Sequence, residues 1–235
     1  MSVQALILCG GKGKRLRPLT ENIPKPLAKI KKKTILGHII EHIITYGIKD
    51  LIFATGYQSE KVKEYLETSC HDCNYSIIDS GDVDIVQRIK DAVPYITGDL
   101  ILLYGDTLSD VDINDLIKFH HSHSGKATMT VWPLRSPFGV LEVDQEGMIS
   151  SYQEKPILDK WINIGYFYLE PEALQLLAGC DSFENYLTRV IEKREMNGYK
   201  HRGAHITVNT LEELQAAEDN IDKIYGYNIL GKNND

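Results

Sequence analysis

The sequence predicts an α/β fold built on a mixed, mainly parallel sheet flanked by helices, and two observations carry that expectation. Through the first half, short apolar runs alternate with helical patterns, and such alternation places helices on both faces of a parallel sheet. From Asp112 onward strand-like runs follow one another more closely, so the second half is expected to be more antiparallel.

Val3 to Cys9 (VQALILC) reads as a buried strand. Ile35 to Tyr46 sets Ile35, Ile39, Ile43 and Leu36, Ile40, Ile44 at helical spacing. Leu51–Thr55 is a second strand and Ser59–Thr68 a second helix; Tyr75–Ile78 and Asp82–Ala92 repeat the unit, and Asp99–Tyr104 (DLILLY) is a fourth strand. A helix to about His121 follows. Strands are expected over Ala127–Pro133, Gly139–Val143, Ile149–Glu154 and Ile162–Leu169, with a turn at Gln145-Glu146-Gly147. Helices over Pro171–Ala178 and Phe183–Lys193 lead to a strand pair within Tyr199–Val208, and Thr210 caps a closing helix to Ile221. No linker or internal repeat divides the chain, so residues 1–235 read as one domain of two fused halves, about 1–110 and 111–235. In open α/β sheets ligands sit outside the carboxyl ends of the strands, which gathers Cys9–Thr20, Thr55–Tyr57, Ser80–Gly81 and Gly105–Thr107 around one crevice.

Composition narrows the function classes. With 235 residues the chain should bury about 70–75% of its unfolded surface, enough for a full core. The net charge of −7 argues against a nucleic-acid partner, which would call for a basic balance. The one basic run, Lys29 with Lys31, Lys32 and Lys33, reads as a solvated bend. Ser2–Cys9 lacks the features of a signal peptide, and no apolar run approaches the ~18 residues of a membrane span. A soluble, cytoplasmic protein with no membrane partner is expected. Cys70-His71-Asp72-Cys73 has CxxC spacing but no second pair, and reads as two reduced thiols in a loop. His120, His121 and His123 run from a helix into a polar turn and read as surface histidines. Trp132 and Trp161 read as core residues, with Trp161 near enough to Asn163 to line a pocket.

The strongest signal begins where the first strand ends: Leu8-Cys9-Gly10-Gly11-Lys12-Gly13-Lys14-Arg15-Leu16-Arg17-Pro18-Leu19-Thr20, then Pro24-Lys25-Pro26-Leu27. Its glycines let backbone N–H groups approach phosphate oxygens. It fails the P-loop pattern, because Arg15 follows Gly13-Lys14, and fails the dinucleotide pattern, because Leu16 stands where a third glycine belongs. It does match Gly-Gly-x-Gly-x-Arg-Leu-x-Pro-Leu-Thr with Pro-Lys-Pro-Leu downstream, and so resembles the signature loop of the sugar-phosphate nucleotidyltransferases. Lys14 departs from it, since the family mostly has Thr or Ser there.

The resemblance continues in order: Tyr104-Gly105-Asp106-Thr107, Gln153-Glu154-Lys155-Pro156, Trp161-Ile162-Asn163-Ile164-Gly165 and Val208-Asn209-Thr210. Within the family the chain is most similar to the glucose-1-phosphate cytidylyltransferases, through Tyr104–Thr107, Leu116–His120, Ser151–Pro156, Trp161–Gly165 and Tyr199-Lys200-His201. The segment Asp79–Arg88 departs from them: it is shorter and lacks the paired glycines that usually precede this helix.

The resemblance implies a Rossmann-like nucleotide-diphospho-sugar transferase fold, with a nucleotide-binding first half and an acceptor-binding second half. It implies transfer of a nucleoside monophosphate, CMP from CTP, to an acceptor such as glucose 1-phosphate, with release of pyrophosphate, and a homo-oligomer. Mg²⁺ would be held by Asp106 and Asn209; many members have Asp at the second position, but some uridylyltransferases use Asn. The catalytic set carried over is Arg15, Lys25, Asp106 and Lys155. Leu8, Gly10, Gly11, Gly13, Ser80, Gly81 and Gly105 would join Arg15, Lys25 and Asp106 in binding nucleotide, and Glu154, Lys155, Asn163 and Gly165 would bind the acceptor. The attacking phosphate oxygen is already anionic, so positioning and electrostatics are the chemistry asked of the protein. Three alternatives stay open: a polyol phosphate acceptor such as glycerol phosphate, guanylyl or uridylyl transfer, and a non-catalytic nucleotide-sugar sensor. The last is disfavoured because Arg15, Lys25, Asp106 and Lys155 are all present.

Overall fold

The computed structural model describes residues 3–230, so both ends of the domain read as 1–235 lie outside the described residues. In chain order the elements are β1 (Val3–Leu8), α1 (Leu19–Asn22), β2 (Lys29–Ile30), β3 (Lys33–Thr34), α2 (Ile35–Thr45), β4 (Asp50–Thr55), α3 (Ser59–Ser69), β5 (Asn74–Asp79), α4 (Ile85–Ala92) and β6 (Asp99–Tyr104). They continue as β7 (Thr107–Ser109), α5 (Ile113–His121), β8 (Ala127–Arg135), β9 (Val140–Val143), β10 (Ile149–Gln153) and β11 (Ile157–Leu169). The last are α6 (Pro171–Gln175), α7 (Phe183–Glu192), β12 (Met196–Lys200), β13 (His205–Thr207) and α8 (Leu211–Leu230).

Seven strands form one sheet in the order β12-β8-β11-β6-β1-β4-β5. The alternating first half gives the parallel part, β6-β1-β4-β5. β11 runs antiparallel to both β6 and β8, and β12 returns parallel to β8. The apolar strands are covered on both faces, as parallel strands must be. Ala5, Ile7, Phe53 and Leu103 pack with α2, α3, α5 and α8 on one side. Leu6, Ala54, Leu102 and Phe167 pack with α4, α6 and α7 on the other.

Short polar side chains start the helices by satisfying otherwise orphaned N–H groups. Thr34 accepts from Gly37 N at 2.9 Å and Asp112 from Asp115 N at 3.0 Å. Thr210 caps α8 as expected: its hydroxyl accepts from Glu213 N at 3.2 Å, while Glu213 Oε2 accepts from Thr210 N at 3.0 Å, a reciprocal capping box.

Several expectations are corrected. The helix read from Asp82 begins at Ile85, because Asp84 turns its carboxylate onto Gln87 N at 2.8 Å. The strand pair read within Tyr199–Val208 is two strands with different partners: β12 extends the main sheet beside β8, and β13 pairs with β7. Buried His201 makes the turn between them, its Nε2 lying 3.1 Å from Ser109 Oγ and 2.9 Å from Asp110 Oδ1. Cys70 and Cys73 are not separate thiols but a disulfide; the turn between α3 and β5 holds their Cα atoms 6.1 Å apart, within disulfide reach. His120 is buried, not on the surface: it shares the inward helical face of Ile113 and Leu116, with Nδ1 2.8 Å from Thr128 Oγ1 and Nε2 3.0 Å from Glu170 Oε1. His121 and His123 are exposed. The lysine run does form a bend, but Lys31 is anchored, its N–H donating to Glu218 at 3.0 Å and its ammonium 2.5 Å from Asp222. No helix among the described residues is long and apolar enough to cross a membrane.

Candidate active site

A cavity of about 430 Å³ opens at the carboxyl ends of β1 and β6. Gly10, Gly11, Gly13, Lys14 and Arg15 line one part, Lys25, Gly105, Asp106 and Asn209 a second, and Leu8, Tyr104, Val83, Asp84 and Ile85 a third. Backbone bonds fix the rim: Gly105 N donates to Leu8 O at 3.1 Å, Cys9 N to Ala54 O at 2.8 Å, and Tyr57 N to Gly10 O at 3.2 Å. Gly105 must lack a side chain, since a Cβ there would sit 2.4 Å from Leu8 O. Gly13, at φ 59°, turns the loop into the short 3-10 turn over Lys14–Leu16, and Thr20 Oγ1 bonds its carbonyl at 2.9 Å. Gly13's left-handed conformation is one that glycine adopts without cost.

The polar centre is a four-residue cluster. Lys25 Nζ lies 2.5 Å from Asp106 Oδ2 and 2.8 Å from Asn209 Oδ1. Arg15 Nη2 donates to the same Asn209 oxygen at 2.8 Å. Val208 N donates to Asp106 O at 2.9 Å, which brings Asn209 beside Asp106, and the Asn209 N–H is held by Glu213 Oε2 at 2.6 Å. Lys25 is buried, at odds with the ordinary expectation for a lone lysine. Two oxygens from distant segments therefore converge on one cationic point, with a second cation alongside. Lys12 pairs with Asp82 across the rim. Cys9 also faces the cavity, but burial pushes its thiol pKa up, so it stays protonated and is no nucleophile.

Arg88 is the residue sequence reasoning missed. Its guanidinium is buried and donates to four carbonyls: Gly10 at 3.1 Å, Gly81 at 2.9 Å, Val83 at 3.0 Å, and Thr55. It thus ties the glycine loop, the end of β4 and the β5–α4 loop together. Burial lowers its pKa, with nearby Asp79 and Asp82 opposing. A Cβ on Gly10 would come within 1.9 Å of Arg88 Nη1, and one on Gly56 within 2.4 Å. The available signal was an arginine on the apolar face of α4, between buried Val86 and Ile89.

Of the residues expected from sequence, Leu8, Gly10, Gly11, Gly13, Arg15, Lys25, Gly105, Asp106 and Asn209 meet in this cavity. Ser80 and Gly81 do not line it; Val83, Asp84 and Ile85 do. Gly81 instead donates to Asp79 at 3.0 Å and accepts from Arg88. Asn163 reaches the edge, its Nδ2 3.4 Å from Tyr104 Oη, while its Oδ1 accepts from Gly165 N at 2.8 Å. Gly165, at φ 76°, makes room for Tyr104, whose ring a Cβ would approach to 2.4 Å. Burial raises Tyr104 to about 12, so it is a neutral hydrogen-bonding phenol at physiological pH. Glu154 and Lys155 are exposed on the β10–β11 loop and outside the cavity wall; Glu154 accepts from the Tyr152 hydroxyl.

Comparison with known proteins agrees with this geometry. Over 90% of its length the chain is 34% identical to a Bacillus subtilis protein described as a probable glucose-1-phosphate cytidylyltransferase, covering 93% of that relative. It is 32% identical to the glucose-1-phosphate cytidylyltransferase of Salmonella typhi, with the same coverage. Its fold matches HddC from Yersinia pseudotuberculosis with a TM-score of 0.73, covering 94% of this chain and 100% of that one at 21% identity. Residues 4–221 match the nucleotidyl transferase family. The glycine loop and the Lys25–Asp106–Asn209 cluster both fall within that span, and the chain belongs to the nucleotidyl transferase family.

Proposed function

We propose that this enzyme is a Mg²⁺-dependent sugar-1-phosphate cytidylyltransferase, transferring CMP from CTP to an acceptor such as glucose 1-phosphate and releasing pyrophosphate. The observation that carries the reading is the convergence of Asp106 and Asn209 oxygens on Lys25 beside Arg15, at the mouth of a glycine loop. Cytidine and glucose 1-phosphate are supported by the similarity to the Bacillus and Salmonella proteins. Assembly into a homo-oligomer and a cytoplasmic location belong to the same proposal, by resemblance.

The residues present fit Mg²⁺. One carboxylate and one carboxamide oxygen already meet at a single cation, and Mg²⁺ takes one or two protein oxygens together with phosphates and water. When bound it would neutralise phosphate charge. The glycine-loop amides and Arg15 hold the β- and γ-phosphates, and Lys25 offsets charge at the α-phosphate. Lys155 draws in the acceptor's phosphate, while Glu154 and Asn163 orient acceptor hydroxyls. No side chain has to remove a proton, because the attacking phosphate oxygen is anionic.

The test is pyrophosphate release with Mg²⁺, each of CTP, UTP, GTP, ATP and dTTP being paired with sugar 1-phosphates and polyol phosphates. CTP with a sugar 1-phosphate is expected to give the highest kcat/KM. Preference for another nucleotide or for glycerol phosphate would redirect the specificity, and nucleotide binding without turnover would favour a sensor.

A further inference from the structure

Beyond the cavity edge at Tyr104, the same face of the sheet runs on through β11 to β8 and β12. Asn163, bonded to Tyr104 at the cavity edge, lies opposite Val131 of β8, and Val131 lies opposite Lys200 of β12. Trp161 lies opposite Pro133, two residues from Val131. Paired residues, and residues two apart in a strand, share a sheet face. Asn163, Trp161 and Lys200 therefore stand on the face away from Ile162, which packs against the core cluster on the side of α2, α3, α5 and α8. Theirs is the side of Leu8 and Tyr104.

On this extension Lys200 Nζ lies 5.2 Å and Arg202 Cζ 5.1 Å from the centre of the Trp161 ring. Both cations are exposed, and neither pairs with a carboxylate among the described residues. In a chain of net charge −7, two uncompensated cations held over one indole are poised for an anion. At the usual strand spacing Lys200 is about 10 Å across the sheet from Asn163. A neutral hexose could stack on Trp161 but would leave both cations unpaired.

We propose that Trp161, Lys200 and Arg202 form a subsite for a second anionic group of the acceptor, remote from the phosphate that receives the nucleotidyl group. The inference rests on the nucleotidyl transfer proposed above and shifts the preferred acceptor from glucose 1-phosphate to a doubly anionic sugar phosphate, one that also carries a carboxylate or a second phosphate. The Arg202 guanidinium grips such a group through paired N–H donors and Lys200 adds a point charge.

Three acceptors differing only at carbon 6 test it: glucose 1-phosphate, glucuronic acid 1-phosphate and glucose 1,6-bisphosphate. Their binding is measured by calorimetry with Mg²⁺ and the unreactive analogue α,β-methylene-CTP, and their turnover by pyrophosphate release with CTP. The expected result is at least ten-fold tighter binding of one or both doubly anionic acceptors, the better of the two identifying the group. That advantage should fall to within about two-fold in a K200Q/R202Q variant of unchanged melting temperature, with CTP affinity unaltered. Equal binding of all three acceptors, or a preference that survives in the variant, overturns the subsite even if glucose 1-phosphate turns over well. Preferential binding without pyrophosphate release from any acceptor would overturn the CTP-dependent transfer proposed above and leave the anion subsite standing.

Discussion

Lys25 and Asp106 stand 81 residues apart in sequence and 2.5 Å apart in space, with Asn209 Oδ1 completing the contact at 2.8 Å from the same ammonium. The pairing joins the signature loop, the end of β6 and the segment before α8 at one point. It also makes Lys25 and Asp106 separately testable, because each is only one part of the electrostatic environment.

Lys25→Ala and Asp106→Ala are each expected to lower the rate of pyrophosphate release by about 10²–10³, the usual cost of losing one preorganised contact to transition-state charge. Circular dichroism should show both variants folded. Near-normal turnover by either would remove it from the catalytic set.

Chelation of divalent cations with EDTA should abolish pyrophosphate release and leave the melting temperature nearly unchanged. The Lys25 ammonium, 2.5 Å from the Asp106 carboxylate, offsets its charge when the cation is chelated. Restoration by Mg²⁺, followed by kinetics, is the check; turnover persisting in EDTA would refute the metal requirement.

Arg88→Ala should destabilise the protein by about 3 kcal/mol or more, measured by urea unfolding, because four carbonyls lose a charged donor in a buried setting. Arg88→Lys should recover only part of this, since an ammonium cannot span the same carbonyls. An exposed arginine with no such bonds would give a change within about 0.5 kcal/mol.

His42 predicts an acid-side loss of stability. Burial lowers its pKa to about 4, against a backbone hydrogen bond to Val111 O at 3.0 Å that opposes the shift. Between pH 6.5 and 4 the unfolded chain binds the proton and the folded one does not, so stability falls as pH drops through that window. The loss is roughly 3 kcal/mol at full shift. His205, likewise lowered to about 4 by burial, adds in the same direction. A His42→Gln variant should show a shallower decline of melting temperature between pH 6.5 and 4.

Reducing the Cys70–Cys73 disulfide should leave kcat/KM unchanged. The bridge precedes the start of β5, paired with the start of β4, whereas the cavity opens at the opposite ends of the strands, about 20 Å away at six residues per strand. Assay with and without dithiothreitol decides it.

The sequence by itself determined the parallel half of the sheet, the caps of α8, and the glycine loop with its cations, because each is encoded by spacing within a few consecutive residues. Apolar runs of strand length alternate with helical periodicity, and Thr210 stands three residues before Glu213. The resemblance of Tyr104–Thr107 and Val208–Thr210 to the family's motifs made Asp106 and Asn209 candidates as well. Tertiary structure alone decided what long-range contacts decide. Tyr199–Val208 reads as a strand pair, yet β12 and β13 go to different strands because His201 turns the chain onto β7. His120 looked exposed beside two other histidines, but helix rotation points it inward to Glu170. The apolar face of α4 marked Arg88 as unusual, but its role was not legible because its four carbonyl partners come from the glycine loop, the end of β4 and the β5–α4 loop, and a buried charge is stable only where all of them arrive together.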